Sequence, residues 1–301
     1  MALQSSGQIS ITDIKTELGN SSGSLNTLSV AAGKTAPHAM SEFYGYSSVT
    51  PNDYYWQLTN GSNGELRWED TEGLSAENDA DWSISFWYRN DQSSKTNLLL
   101  IDIFPQGASS NANRIFLNYN SSQNRFIARY RSSSVNFDRQ WNLHNNSTAT
   151  GVSNSSTGWC TAQRGRVNSQ NFTHIVLTYK GTESTGAAAF KCYWNGVEMT
   201  TTAASANGTR SNFNKTEFVW SNDYNDGSGD NSSWDMMHLY QTELRSADVT
   251  DLYNSGTPIT HDDSGITADL KFEDRAETTT PTDSSGTWSL KASNGSRQAY
   301  P

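Results

Sequence analysis

Residues 174–181, HIVLTYKG, alternate in polarity: Ile175, Leu177 and Tyr179 fall on one side, His174, Val176 and Thr178 on the other. Residues 190–199, FKCYWNGVEM, repeat the device, with Phe190, Cys192 and Trp194 set against Lys191 and Tyr193. Two period-two runs around the polar stretch TESTGAA predict an antiparallel hairpin, and Asn195-Gly196 predicts a tight turn after the second run. WSISFWYR places Trp82, Ile84, Phe86 and Tyr88 opposite Ser83, Ser85 and Trp87. RIFLNYN (114–120) and NRFIARYR (124–131) predict a second hairpin across SSQ. EFVWSND (217–223) and WDMMHLYQ (234–241) flank an acidic loop. Turn residues separate nearly all of these runs and no helical crossover joins them, so the pattern from residue 52 onward predicts an all-β, antiparallel sandwich. One helix is expected late, over SADVTDLYNSG, with Ser246 as its N-cap and Gly256 as its stop.

Residues 1–48 follow a different period. In SITDIKTELGN, Ile11, Ile14 and Leu18 recur at helical spacing behind Ser10, with Asp13 placed to complete a capping box and Gly19 to end the helix. Ser24 and Gly33 bracket SLNTLSVAAG in the same way, and Pro37 and Gly45 bracket APHAMSEFYGY. Three helices of about two turns are too short to persist alone in water. Their apolar faces (Ile11, Ile14 and Leu18; Leu25 and Leu28; Met40, Phe43 and Tyr44) are expected to need cover from the next domain, from other copies or from a larger assembly. The expected organisation is therefore a helical anchoring or oligomerisation segment, 1–48, and a sandwich, 52–301. ELRWED (65–70) and DLKFED (269–274) match in type at every position and are expected as neighbouring strands where the two ends of the sandwich meet.

Composition narrows the function classes. Charged residues make up 17% of the 301 and the net charge is −10, which opposes binding to nucleic-acid phosphates. Aromatics at 11% argue against disorder. No run of 18 apolar residues is present, so no membrane-inserted helix is expected. MALQSSGQIS has neither a basic nor an apolar signal region, so secretion is not expected, and the Asn-x-Ser/Thr triplets read as a by-product of composition. Cys160 and Cys192 lack metal-site spacing and are expected to stay reduced, with Cys192 facing inward.

Catalytic patterns are missing where a sandwich would carry them. A glycosidase strand of this kind needs carboxylates at period two on one face. Asp102 in LLIDIF has no flanking Glu, and Glu69, Asp70 and Glu72 in WEDTEG break the face. There is no H-E-x-x-H pair, no G-x-S-x-G elbow and no phosphate loop, and His174 reads as a satisfied sheet residue. The chain is therefore expected not to be an enzyme. Metal is the better chance: Asp223, Asp226 and Asp230 crowd one Gly-rich loop with Asn222 and Asn225, supplying the hard oxygens calcium prefers. Sugar binding needs an exposed aromatic plate with polar neighbours, and Trp87, Trp159 and Tyr193 are the candidates by out-of-core parity or loop position.

The order WSISFWYR, FTHIVLTYKG, FKCYWNGVEM, WDMMHLYQTELRSADVTDLYNSG resembles the laminin-G-like, or concanavalin A-like, jelly-roll sandwich, over about residues 56–260. The family block W-H-H-V-A-L-T-Y-D-G is matched by Phe172 to Gly181, and the Y-x-x-x-L-s-x-x-E-I-x-x-L-Y block by Tyr240, Leu244, Ser246, Val249, Leu252 and Tyr253. The tail DLKFEDRAETTTPTDSSGTWSLKASNG resembles the closing segment of such domains in bacteriophage virion proteins. SSGQISITDIKTELG and MSEFYGYS resemble the leader of phage structural proteins. The resemblance implies a virion component (fibre, decoration or neck/tail-associated), assembled in the host cytoplasm, with the leader contacting other virion proteins or its own copies. A trimer is the implied homo-oligomer, and adhesion to a host-surface glycan the implied use. A carbohydrate-binding adhesin or a polysaccharide hydrolase of the same fold are the alternatives.

The acidic loop generates a first prediction. Three carboxylates within eight residues repel one another unless a cation offsets them, so millimolar calcium should raise the melting temperature over that in chelator. Asp226→Ala should abolish the rise; an equal midpoint with and without calcium in the unmutated chain excludes the site.

Overall fold

The computed structural model describes residues 3–4, 6–18, 20–32, 34, 36–44, 54–58, 65–74, 81–91, 97–104, 114–120, 125–131, 136–143, 172–181, 183, 186–205, 215–220, 231–254, 266–272, 289–293 and 295–299. Two compact units divide the chain: Met1–Pro51 with Ile259–His261, and Asn52–Pro258 with Asp262–Pro301.

In the first unit, α1 (Ile11–Glu17) opens on Ser10, whose Oγ accepts from the Asp13 amide at 3.1 Å while Asp13 Oδ2 accepts from the Ser10 amide at 2.8 Å. This capping box satisfies two amides that a helix start leaves open. The Ser10 hydroxyl, which donates to Asp13 Oδ2 at 2.7 Å, and then the Ser10 amide hold the Asp13 carboxyl below its ordinary pKa. Ser24 caps α2 (Leu25–Ala31) through the Thr27 amide at 3.5 Å. The third expected helix is a single 3-10 turn, Met40–Phe43, with a cis Ala36–Pro37 peptide before it and no side-chain cap. Pro37 therefore does not start a helix. Ile14, Leu28 and Phe43 are fully buried in one cluster flanked by Leu3, Ile9, Ile11, Leu18, Leu25, Ala32 and Met40. The segment thus buries much of the apolar face that was expected to need outside cover; Tyr44 stays exposed and donates to the Gly7 carbonyl at 2.6 Å.

The second unit is built from two antiparallel eight-stranded sheets. The strands in chain order are β1 (Tyr54–Leu58), β2 (Glu65–Leu74), β3 (Trp82–Asn90), β4 (Asn97–Phe104), β5 (Arg114–Asn120), β6 (Arg125–Arg131), β7 (Asn136–Asn142), β8 (Thr173–Tyr179), β9 (Phe190–Trp194), β10 (Val197–Glu198), β11 (Ala203–Ser205), β12 (Lys215–Trp220), β13 (Ser232–Tyr240), β14 (Ile266–Leu270), β15 (Ser289–Ser293) and β16 (Gly295–Ala299). The first sheet runs β10-β9-β8-β3-β13-β1-β16, with β14 also on β13, and the second runs β11-β7-β6-β5-β4-β12-β2-β15. Both expected hairpins form: β8 pairs with β9, and β5 with β6. The Asn195-Gly196 turn has both residues at positive φ, 49° and 82°.

Period two decides what lies between the sheets. Trp82, Ile84, Phe86 and Tyr88 of β3 join Ile175, Leu177 and Tyr179 of β8 and Phe190, Cys192 and Trp194 of β9 in one core with Ile115, Leu117 and Tyr119 of β5 and Phe126, Ala128 and Tyr130 of β6. Trp234 is buried near the middle, with ring centroids 5.3 Å from Phe86 and 4.7 Å from Tyr88, contacts worth about 0.5–1.5 kcal/mol each beyond their area. Burial pushes the free Cys192 thiol far above its ordinary pKa, so it is an inert core group.

The ELRWED and DLKFED segments are not neighbours. β2 pairs with β12 and β15 in the second sheet, whereas β14 pairs with β13 in the first. The ends of the unit meet through other strands, β1 on β16 and β2 on β15. β13 carries β1 along its first half and β14 along its second, and between them one extra residue makes a bulge with Met236 at φ 43°.

The late helix, α3 (Ser246–Tyr253), starts one residue before the position expected, because Arg245 and not Ser246 is the N-cap and Asp248 accepts from its amide at 2.9 Å. Left-handed Asn254 ends it ahead of Gly256. The strained turn beside this helix gives a second prediction. A Cβ on Gly196 would sit 2.9 Å from Tyr253 Cβ, at a φ of +82° that L residues avoid. Gly196→Ala should therefore destabilise by about 1–3 kcal/mol in urea unfolding, and Asn195→Gly, which removes the acceptor of the His174 amide at 3.0 Å, should cost about 1 kcal/mol.

Candidate functional site

The outer face of the first sheet is closed by α3. Ser83 Oγ donates to the Thr242 carbonyl at 2.7 Å and accepts from the Leu244 amide at 2.9 Å, which ties the segment ahead of the helix to β3. Val249, Leu252 and Leu244 then pack on Val176, Tyr193 and Tyr240. Tyr253 stacks on Trp87 at 5.8 Å, and Trp87 joins Tyr55, Phe172 and Met236 in an apolar cluster. Trp87 is 2% exposed and Tyr193 1%. Both point away from the main core, as their parity requires, but a helix covers them, so neither is the exposed plate the sequence suggested. Trp159, Asp223, Asp226 and Asp230 lie outside the described residues. Among the described residues no cluster of three His, Cys, Asp or Glu could hold a metal.

Beneath the helix runs a buried polar row. His174 Nε2 lies 2.9 Å from Ser85 Oγ, and His238 Nε2 lies 3.1 Å from Asp269 Oδ1, whose other oxygen meets Lys271 Nζ at 3.1 Å. Burial is the largest influence on Asp269 and would raise its pKa, but His238 and Lys271 together outweigh it and hold the carboxyl below its ordinary value. Ser85, His174 and His238 are buried to within 2%, so no reactant reaches them from this face, and the row is structural. At its end, the Arg89 guanidinium sits 5.0 Å from the rings of both Tyr55 and Phe172 and is tied to Asp91 at 2.7 Å.

The outer face of the second sheet is chemically different. With Ile115, Leu117 and Tyr119 turned inward on β5, Arg114, Phe116, Asn118 and Asn120 must turn outward. On β6 the outward set is Arg125, Ile127, Arg129 and Arg131, and on β7 it includes Asp138, Gln140 and Asn142. Register aligns these into rows: Arg114 with Arg131; Asp102, Phe116, Arg129 and Asp138; Asn118, Ile127 and Gln140; Asn120, Arg125 and Asn142. Arg114 meets Asp102 at 3.1 Å and lies 4.6 Å over the Phe116 ring. Arg129, whose side chain is 39% exposed, lies 5.7 Å from the same ring and 3.9 Å from Asp138, to which Gln140 also donates. Phe116 is itself only 7% exposed and Asp102 is fully buried, so what this face offers a ligand is the outer guanidinium and amide groups, which suit hydroxyl- and carboxylate-bearing ligands.

Among the described residues of β4–β7 no two carboxylates stand at glycosidase spacing. Asp102 and Asp138 are three strand spacings apart, about 14 Å, beyond the roughly 5–9.5 Å of glycosidase carboxylate pairs, and each faces an arginine. Neither paired acids nor an exposed aromatic plate marks these strands in the sequence. The signal was present in RIFLNYN and NRFIARYR, where every arginine has the parity opposite to the core residues.

No family model matches the chain, and no curated protein matches it. Solved structures do. A protein from Bacteroides ovatus, provisionally assigned to carbohydrate binding, superposes with a TM-score of 0.50 at 10% identity, over 83% of this chain and 60% of its own. Botulinum neurotoxin type C, whose cell entry depends on interaction with two ganglioside molecules, gives 0.43 at 13% identity over 69% of this chain and 45% of its own. Domains LG4-5 of the mouse laminin α1 chain give 0.40 at 11% over 71% and 45%. The chain thus spans 60% or less of the length of each. The likeness is one of fold: an all-β sandwich of two antiparallel sheets, with a short helical segment before it in the chain.

The buried polar row yields a pH prediction. The folded pKa of Asp269 is depressed, so its stabilising contribution is present above the unfolded value near 3.8 and is lost as pH falls through the lower folded value. Urea unfolding from pH 6 to 2 should show stability falling below about pH 4. Asp269→Asn should be less stable at pH 6, by about 3–5 kcal/mol for a broken buried pair, and should have a shallower acid limb.

Proposed function

We propose that this chain is a non-enzymatic structural component of a bacteriophage virion whose sandwich binds carbohydrate on the host surface. The observation that carries the binding part is the outward face of β4–β7: arginines and amides around Phe116, with its two aspartates about 14 Å apart. That chemistry holds a polyhydroxylated ligand, and among the described residues of these strands no acid pair stands at cleaving distance. The Bacteroides ovatus protein's provisional assignment to carbohydrate binding points the same way. The virion part rests on the leader and tail motifs and their resemblance to phage structural proteins. Calcium at the Asp223, Asp226 and Asp230 loop is not required by this face.

The N-terminal unit would supply assembly, as a trimer or by docking on other virion proteins. Its own core takes in Ile14, Leu28 and Phe43, leaving Val30 (61% exposed) and Tyr44 (45%) as the apolar groups offered to a neighbour.

Two measurements test the reading. The full chain on an array of bacterial-envelope glycans should bind without releasing reducing ends; absence of any hit, or turnover, overturns it. Light scattering should give a trimer or a particle-bound species for the full chain, and Val30→Asp should weaken that state. Unchanged assembly in a chain truncated to 52–301 would place the contacts in the sandwich instead.

A further inference from the structure

We infer that the outer face of the second sheet selects acidic polysaccharides, binding their carboxylates at Arg125 and Arg131; the inference rests on the carbohydrate-binding reading. The first ground is charge placement. Strands β4–β7 carry five arginines, two aspartates and neither lysine nor glutamate, in a chain of net charge −10. Four of those arginines face out (Arg114, Arg125, Arg129 and Arg131) against Asp102 and Asp138. Arg139 alone takes the inward parity and is used up at the sheet edge, where Nε donates to Thr201 Oγ1 at 2.6 Å.

The second ground is an arrangement that the fold does not need. Arg114 and Arg131 stand directly opposite each other on β5 and β6. Like charges so placed destabilise a sheet. Arg114 is compensated by Asp102, but among the described residues Arg131 and Arg125 meet no acid. On the same face Arg125 Nε and Asn118 Oδ1 are buried without a hydrogen-bond partner. A buried donor left unmade is unfavourable by about 1–3 kcal/mol. An anionic ligand relieves the repulsion directly: one carboxylate takes the outer nitrogens of Arg125, beyond its covered Nε, and a second offsets the Arg114–Arg131 pair. Guanidinium suits the task because its planar fork accepts a carboxylate through two parallel bonds. Arg129 and Arg131 are about 6.7 Å apart along β6 and Arg125 lies about 13 Å further from Arg129. That spread matches a polymer with repeated charges better than a single sugar.

Calorimetry on the full chain tests this with oligogalacturonate, its methyl ester, a neutral dextran oligosaccharide and duplex DNA. The acid form should bind at least tenfold more tightly than its ester and than DNA. Arg125→Gln with Arg131→Gln should weaken acid-form binding tenfold or more without lowering the melting temperature, whereas Arg245→Gln, on the other sheet's helix with its side chain 82% exposed, should leave it unchanged. Equal binding of acid and ester, or of acid and DNA, overturns the inference, as does an unaffected double variant. Binding to dextran or to arrayed neutral glycans with none to the acid form overturns it while leaving the carbohydrate reading intact; binding to no glycan at all removes both.

Discussion

Ile115, Leu117 and Tyr119 on one strand and Phe126, Ala128 and Tyr130 on the next are buried between the sheets, and their burial decides what the outside can be. A slip of β6 by one residue against β5 would turn its three arginines into that core and Phe126, Ala128 and Tyr130 into water. Transfer of a single such apolar side chain is worth about 1.5–3 kcal/mol, so the alternative register is excluded many times over. The arginines are thus held outward by residues that never touch a ligand. A face made this way is well ordered, because each guanidinium is rooted in a paired strand with neighbours on both sides.

The two outer faces of the sandwich are put to different uses by the same periodicity. On the first sheet the outward set is largely apolar or aromatic (Trp87, Val176, Tyr193 and Tyr240), and α3 covers it, tied down through Ser83 and through Thr250, which donates to the Gly196 carbonyl at 3.1 Å. Its polar members are paired in a buried row. On the second sheet the outward set is guanidinium and amide, with the ring of Phe116 between two arginines. Among the described residues the guanidinium and amide groups gather on the second sheet, and the carbohydrate proposal is made there on that ground.

Much of this was legible in the chain. Alternation located β3, β8 and β9 and their inward residues, Asn195-Gly196 located the turn, and Ser10 with Asp13 located the first cap. Parity also assigned Trp87 and Tyr193 to the outer side. It could not say what lies on that side, since docking of α3 is a tertiary event encoded some sixty residues away from Tyr193. The ELRWED and DLKFED echo misled for a related reason: strands of the same type pair according to topology, and β2 and β14 entered different sheets. The third leader helix shortened to one turn because no side chain caps its start. The arginine face was readable by the same rule that found the core, applied to the polar positions instead of the apolar ones.

Arginine-selective modification with phenylglyoxal, mapped by mass spectrometry with and without saturating oligogalacturonate, tests the account's central claim most directly. Arg125, Arg129 and Arg131 should be protected by the ligand while Arg245, exposed on α3, reacts at an unchanged rate. Unchanged modification of the three β6 arginines in the presence of bound ligand would contradict the account and move the carbohydrate site off this face.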